Sequence, residues 1–280
     1  MKVYSQVIKK HSKTFYFSSL LFPKEIREKI FLLYAYVRII DDLVDETNEK
    51  NKVKFKKYKN LTLNLIKGKK EKYAPKIIKD FVKMAKKYDF DKEVIDYLKT
   101  QEVEVTKKRY KNKEEFLKFC YGVAGTIGVM IAKIINLPKK TFKDAVKLGV
   151  SLQIINNVRD IFEDYQRFKI YLPEDLLKKY KISHNNFIKK TNRERLYKAV
   201  YDLIGKAKKL KEEAKSSFKF FKKRELLAIK TAVDIYFKIA EKIEKNPEFI
   251  FNKKILKPSL IEIVLLIIKN YFNIFIRIAD

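Results

Sequence analysis

The sequence predicts an all-α fold, and three observations predict it. Leu, Ile, Lys, Glu and Phe dominate a 280-residue chain that holds only six Gly and six Pro, a usage that favours long helices over short strands and turns. Apolar residues recur at helical spacing, as in Ile26, Ile30, Leu33, Tyr34, Val37 and Ile40. No Gly/Ser or Pro run breaks the chain, so residues 1–280 are expected to form one unit with no flexible linker.

In chain order, residues 1–22 read as a lead segment, with H-S-K-T-F at 11–15 set beside Tyr16 and Phe17. Pro23 suits the first turn of a helix over 23–45. That helix ends in R-I-I-D-D-L-V-D-E, where Asp41 and Asp45 stand four apart. Acids in a last turn oppose the helix dipole, so a merely solvated patch explains them poorly. Residues 46–75 read as a Lys-rich surface passage around a short helix at 61–66, closed by Gly68 and Pro75. Residues 76–110 give one or two amphipathic helices, with Glu102 and Glu104 near their end.

A helix over 114–136 carries Gly122, Ala124, Gly125 and Gly128. A Gly inside a helix costs about 1 kcal/mol relative to Ala. The small face therefore serves either close helix packing or room for a long apolar ligand beside the backbone. Next comes a helix over 142–165, on which Gln153, Asn156, Asp160 and Asp164 form one stripe flanked by apolar residues. Asp160 and Asp164 would stand roughly 5–6 Å apart at Cβ. Two unit charges at that spacing repel by about 3 kcal/mol at an effective dielectric of 20. Either one carboxyl takes up a proton or a cation sits between them.

Helices over 193–222 and 224–245 follow, the second with Tyr236 among apolar residues, a position expected in the core. The last helix, 259–278, is apolar almost all round, interrupted by Glu262, Lys269 and Arg277. One central charge costs about 2.5–3.5 kcal/mol on an insertion scale, so it is read as a buried terminal helix, with a membrane-surface helix as the alternative.

The formal charge of +31 permits anionic partners such as lipid, nucleic acid or a polyanionic ligand. Lys is spread along the whole chain, which reads first as solvation of helix faces. The lone Cys120 excludes an intramolecular disulfide, and with two His it leaves no basis for a Cys/His zinc site. The first residues hold no apolar run long enough for a signal peptide, so the cytoplasm is the expected setting.

One pattern recurs. D-x-x-x-D occurs as Asp41/Asp45 and again, about 120 residues on, as Asp160/Asp164, each in an apolar helix and each beside an arginine, Arg38 and Arg159. Facing acidic pairs would hold hard divalent cations through oxygen. Mg²⁺ prefers few carboxylates, several waters and ligand phosphate oxygens, so the arrangement suits a diphosphate held through metal. Lys and Arg beyond the metals would take the remaining charge, and the apolar, Gly-lined helices would house a hydrocarbon tail.

H-S-K-T-F-Y-F-S-S-L-L-F-P, Y-A-Y-V-R-I-I-D-D-L-V-D-E, Y-G-V-A-G-T-I-G and Q-I-I-N-N-V-R-D-I-F-E-D with Y-L-P resemble, in order over roughly 11–245, the motifs of the squalene/phytoene synthases. The resemblance implies an all-α isoprenoid-synthase (terpenoid synthase) bundle around a central cavity. It implies head-to-head condensation of two prenyl diphosphates through a cyclopropylcarbinyl diphosphate. It implies Mg²⁺, with Mn²⁺ as a substitute, held by Asp41, Asp45, Glu104, Asn156, Asp160 and Asp164. Tyr34 and Arg38 join the four Asp as catalytic residues. His11, Lys13, Phe15, Ser19, Gln153, Arg159, Tyr236, Val123 and Gly128 are the implied substrate-side residues.

Three positions depart from the family pattern. Phe119 stands where Tyr is common, Glu104 where Asp is usual, and an Arg near the last motif is replaced around Glu248. Ser19, a small residue at a tail-channel position, favours two geranylgeranyl diphosphates and phytoene over two farnesyl diphosphates and squalene or dehydrosqualene. NADPH would enter only for squalene. The competing readings are a terpene cyclase and a basic helical module that binds anionic membrane or nucleic acid; on the enzyme reading no nucleic acid is expected. Peripheral membrane contact for product release goes with the last helix. Nothing in the sequence sets an oligomeric state.

Overall fold

The structure is a computed structural model that describes residues 2–11, 13–45, 48–252 and 255–276; for Lys2, Val3, Lys10, His11, Lys13 and Thr14 it describes the backbone alone. Among these residues the architecture is helical throughout, with one isolated β-bridge between Arg109 and Ile170. The first helices are α1 (Lys2–His11), α2 (Lys13–Leu20) and α3 (Lys24–Asp45). α3 buries Ile30, Leu33, Val37, Ile40 and Val44, one stripe at helical spacing.

α4 runs over Glu49–Ile66, 18 residues, and not only over 61–66. Asn48 caps it by accepting the Asn51 N–H, and Phe55 and Thr62 are its buried footholds. Its Lys-rich first half is helical because Lys is a good helix former. α5 (Lys76–Lys87) and α6 (Asp91–Glu104) are the two amphipathic helices within the stretch expected over 76–110.

The glycine-bearing helix divides into α7 (Lys113–Cys120), a π-helical turn at Tyr121–Gly125 and α8 (Thr126–Ile134). Residues Lys113–Ile134 are together long and apolar enough to cross a membrane, but half of the apolar window is buried inside the fold. Close packing is what the glycines permit. A Cβ at Gly122 would stand 1.9 Å from Thr100 Oγ1 of α6, and one at Gly128 would stand 2.3 Å from the Ala145 carbonyl oxygen.

The helix expected over 142–165 is two. α9 (Phe142–Arg159) and α10 (Ile161–Gln166) meet at Asp160, which lies near φ −97°, ψ 10°. The Asp160 N–H still donates to Asn156 O and the Asp164 N–H to Asp160 O, both at 2.9 Å. The stripe therefore continues across the junction. α11 (Glu174–Lys179), α12 (Arg193–Ala214), α13 (Lys223–Lys245) and α14 (Leu260–Tyr271) complete the order.

Two apolar cores result. One gathers Ile30, Ile40, Phe81, Val94, Met130 and their neighbours from α3, α5, α6 and α8. The other gathers Phe116, Ile154, Val158, Leu203, Phe237 and their neighbours from α7, α9, α12 and α13. Between them lies a cavity of about 750 Å³ walled by α3, α8, α9 and α13.

α14 does not fit the expectation of a buried terminal helix. Ile263 and Asn270 are buried, but Leu260, Ile261, Val264, Leu265 and Ile268 are exposed.

Candidate active site

The cavity has an ionic end and an apolar end. At the ionic end α3 supplies Arg38, Asp41, Asp42 and Asp45, and the α9–α10 junction supplies Gln153, Asn156, Arg159, Asp160, Glu163 and Asp164. The two Asp pairs expected from the sequence thus line one space. Seven acids and five cations (Arg38, Arg159, Arg167, Lys169, Lys257) line the whole cavity. In a chain of net charge +31, the place richest in acid is the one that attracts cations.

Burial pushes Asp41 up to about 7, and the charge of Asp45 adds to the rise; the Tyr97 hydroxyl, at 2.8 Å, and Arg38 oppose it. Gln101 also donates to Asp41, at 2.6 Å. Burial likewise pushes Asp164 up to about 8, with Asp160 and Asp45 both contributing. Asp45 and Asp164 sense each other across the cavity, so the pairs face one another electrostatically as well as geometrically. Asp45 is raised too, by burial first, against the pull of Lys169, Arg167 and Arg38.

The arginines currently partner these acids. Arg38 pairs with Asp42. Arg159 grips both carboxylate oxygens of Asp160, at 2.7 and 2.6 Å, and Arg167 pairs with Glu163 at 2.6 Å. Among the described residues no cluster of three His, Cys, Asp or Glu is tight enough to hold an ion alone. The donor set still suits Mg²⁺, which takes few carboxylates and completes its shell with water and phosphate. Two observations support the fit: the burial and neighbouring carboxylate charge that raise Asp41 and Asp164, and the buried Asn156 Oδ1, which has no hydrogen-bond partner and so is an oxygen ligand in waiting.

Glu104 does not lie in the open with the aspartates. It is 3% exposed and accepts hydrogen bonds from Tyr110 and, at 3.1 Å, from Tyr171; Lys169 Nζ stands 3.8 Å away. Phe119, where a hydroxyl was missed, stacks on Tyr171 with ring centroids 5.1 Å apart. Tyr171 thus carries a hydroxyl in the layer next to Phe119, although it is already directed at Glu104. Lys169, Tyr171, Tyr97, Gln101 and Arg167 escaped the sequence reading. Y-L-P was the available signal for Tyr171; the others have none without the fold.

Next to the ionic end, Phe15, Tyr34 and Tyr236 form an aromatic row, with Phe15 centred 6.0 Å from Tyr34 and 5.8 Å from Tyr236. Tyr236 is buried as expected but also lines the cavity beside Arg159 and Asn156. Val123, Ala124, Ile127, Gly128 and Ile131 line the wall opposite α3, which continues to Ile135 and Leu137. The glycines pack helices closely, and Ala124 and Gly128 of the same face also line the cavity.

Ser19 is buried, but its hydroxyl donates to the Phe15 carbonyl of its own helix and it does not line the cavity. His11 and Lys13 have side chains outside the described residues. Glu248 turns away to Arg193 and Tyr197 at the surface, and the cation at that edge of the cavity is Lys257.

A family model described as Squalene/phytoene synthase matches residues 8–261. A 15-cis-phytoene synthase of Synechocystis is 26% identical over 270 residues, covering 91% of this chain and 79% of the relative. A phytoene synthase of Thermus thermophilus is 32% identical over 182 residues, 63% of this chain and 60% of that protein. A crystal structure of a dehydrosqualene synthase in complex with ligand superimposes with a TM-score of 0.85 at 24% identity, covering 97% of this chain and 95% of the other. At that identity the likeness speaks for the fold.

Proposed function

The chain belongs to the squalene/phytoene synthase family, and from that premise we propose that it joins two geranylgeranyl diphosphates head to head to give phytoene. The observation that carries this reading is one cavity with facing Asp pairs at one end and a mainly apolar lining beyond them. Both cores wall that cavity, so residues 1–280 are read as one working unit.

The length of the apolar lining supports a C20 chain. Asp45 and Ile30 both face the cavity along α3, and fifteen helical residues span about 22 Å. A geranylgeranyl main chain of sixteen carbons extends to roughly 20 Å and a farnesyl chain of twelve to roughly 15 Å, from C–C bonds of about 1.5 Å. Ser19 does not line the cavity and so does not set this length. Two farnesyl diphosphates, giving squalene or dehydrosqualene, are the second reading, supported by the names of the structural relatives.

Asp41, Asp45, Asp160, Asp164 and Asn156 are the residues we assign to Mg²⁺. When bound, the ion neutralises diphosphate charge and so eases departure of that group. Arg38, Arg159, Arg167 and Lys169 stand ready to exchange carboxylate partners for phosphate oxygens. Phe15, Tyr34 and Tyr236 present ring faces and edges to an allylic cation, which aromatic faces stabilise. The aliphatic walls keep water from quenching it. Attack by the second substrate's double bond forms the new C–C bond. Loss of a proton closes the cyclopropane, and departure of the second diphosphate with rearrangement opens it to the linear product. No reductant is needed if a final proton is lost; NADPH is needed only for squalene.

The test is incubation with C15 and C20 prenyl diphosphates and Mg²⁺, with and without NADPH, followed by identification of the hydrocarbon. Phytoene from the C20 substrate without NADPH is expected; exclusive use of the C15 substrate would sink the C20 reading. Asp45→Ala and Asp160→Ala are each expected to abolish Mg²⁺-dependent diphosphate release, and unchanged turnover in both would remove the proposed site.

A further inference from the structure

Two stretches of non-helical chain border the ionic end of the cavity, residues 105–112 before α7 and residues 167–173 after α10. They are zipped side by side. The Ile170 N–H donates to Lys108 O at 3.0 Å and the Glu174 N–H to Tyr110 O at 2.9 Å, around the bridge between Arg109 and Ile170. Neighbours along an extended strand point to opposite faces. Tyr110 and Tyr171 turn inward, stacked with ring centroids 5.9 Å apart, and both donate to Glu104. Arg109 is exposed on the outer face. The zipper therefore fixes where Lys169 and Tyr171, both lining the cavity, stand. Two strands joined so briefly are marginal in water, and a precise aim calls for a second hold on the outer face.

That hold is His184. Arg109 Nη1 lies 3.2 Å from His184 Nδ1. An arginine only donates, so Nδ1 accepts and the imidazole is neutral, with its proton on Nε2. Nε2 is buried without a hydrogen-bond partner and faces Glu174 Oε1 at 3.9 Å. His184 thus touches the first stretch through Arg109 and the end of the second through Glu174. Its own turn, His184–Asn186, is anchored: Asn192 donates to Asn186 O at 2.8 Å, and the buried Phe187 packs on Tyr165 of α10 with ring centroids 5.8 Å apart.

We infer that His184 is a positioning residue: by clasping Arg109 and Glu174 it holds the zipper that aims Lys169 and Tyr171 at the diphosphate end of the cavity. What Lys169 meets there follows from the condensation reading; the clasp itself does not depend on it. The clasp needs a neutral ring. A second proton, on Nδ1, would point at the Arg109 guanidinium, end that hydrogen bond and set two cations together. The charged groups facing the ring are Arg109 from the first stretch and Glu174 and Lys178 from α11. Burial first, then Arg109, hold the imidazole below its ordinary value of 6.5; Glu174 opposes this and Lys178 adds to it. The clasp is complete above about pH 6.5 and is lost as pH falls through the lowered value.

The test is hydrogen exchange of the full chain without substrate, read at the Ile170 and Glu174 amides at about pH 7.5 and about pH 5 and corrected for the intrinsic pH dependence. The parent is expected to lose about tenfold in protection at the lower pH. His184→Asn, whose amide oxygen accepts from Arg109 and takes up no proton, is expected to lose none. Glu174→Gln removes the carboxylate that favours the charged ring and is expected to move the loss to lower pH. Equal parent protection at the two pH values, an equal loss in His184→Asn, or a Glu174→Gln loss at the parent's pH overturns the proposal. With geranylgeranyl diphosphate, the parent's KM is expected to rise about tenfold more than that of His184→Asn over the same interval, the loss of one charge-assisted hydrogen bond, with kcat moving in parallel in the two proteins. Equal rises in KM overturn the positioning role. No substrate enters the exchange measurement, so an absence of turnover counts against the condensation reading alone.

Discussion

Glu104 is a buried carboxylate shared by two phenols, Tyr110 and Tyr171, with Lys169 behind them. Burial raises the carboxyl, and the hydroxyls and Lys169 work against that rise. Removing one donor leaves a desolvated oxygen unsatisfied, so Tyr110→Phe is expected to cost about 1–3 kcal/mol, read from the urea midpoint at unchanged m. A loss below a few tenths would show that Tyr171 and Lys169 satisfy the group without Tyr110. At this scale the sequence was informative where chemistry repeats itself: Asp41, Asp45, Asp160 and Asp164 announced themselves by equal spacing in apolar surroundings. Tyr97 and Gln101 did not, because their relation to Asp41 spans 56 and 60 residues and exists only once α3 and α6 touch. Ser19 shows the opposite failure, since a small residue suggested space and its hydroxyl instead bonds to the helix behind it.

Among whole elements, helical periodicity located α3, the helices from α5 to α9, and α12 to α14, while α1, α2 and α11 lie where a lead segment and a loop were expected; the other departures have particular causes. Asp160 interrupts one long helix while keeping its hydrogen bonds on the site's side; a one-residue dihedral change leaves no mark in a periodic pattern. The π-helical turn at Tyr121–Gly125 is equally silent. α14 departs from the expected burial, one of the two placements its apolar sequence allows, because its orientation is set by what Glu262 and Asn270 find on α13. Two glycines separate packing from propensity. A Cβ at Gly149 of α9 would stand 2.2 Å from the Ala124 carbonyl oxygen, whereas one at Gly205 of α12 would meet nothing within 4 Å. Gly149→Ala is therefore expected to destabilise by about 1–3 kcal/mol or more, because backbone must move. Gly205→Ala should stabilise by roughly 0.5–1 kcal/mol. Paired thermal melts check both signs, and a neutral Gly149→Ala would mean that α9 can slide from the π-helical turn at no cost.

Across the whole molecule, a strongly basic exterior surrounds a cavity richer in acids than in bases. Self-repulsion of the exterior opposes compaction and is screened beyond about 10 Å at 0.1 M salt. The melting temperature is thus expected to climb by a few degrees between about 0.02 and 0.3 M NaCl; a fall would show that ion pairs, not repulsion, dominate. Sequence alone gave the net charge but could not give its division into an outside and an inside, because the acidic minority is gathered from segments over 100 residues apart. The two-core arrangement adds an order in time. One core draws on residues 22–137 plus Ala228, the other on residues 110–250. A chain emerging from the ribosome completes nearly all of the first interior before most of the second exists, and domains assemble from the N-terminal side during synthesis. The cavity is then the seam between an earlier-made half and a later-made one, and the Asp41/Asp45 wall leaves the ribosome more than 100 residues before Asp160 and Asp164.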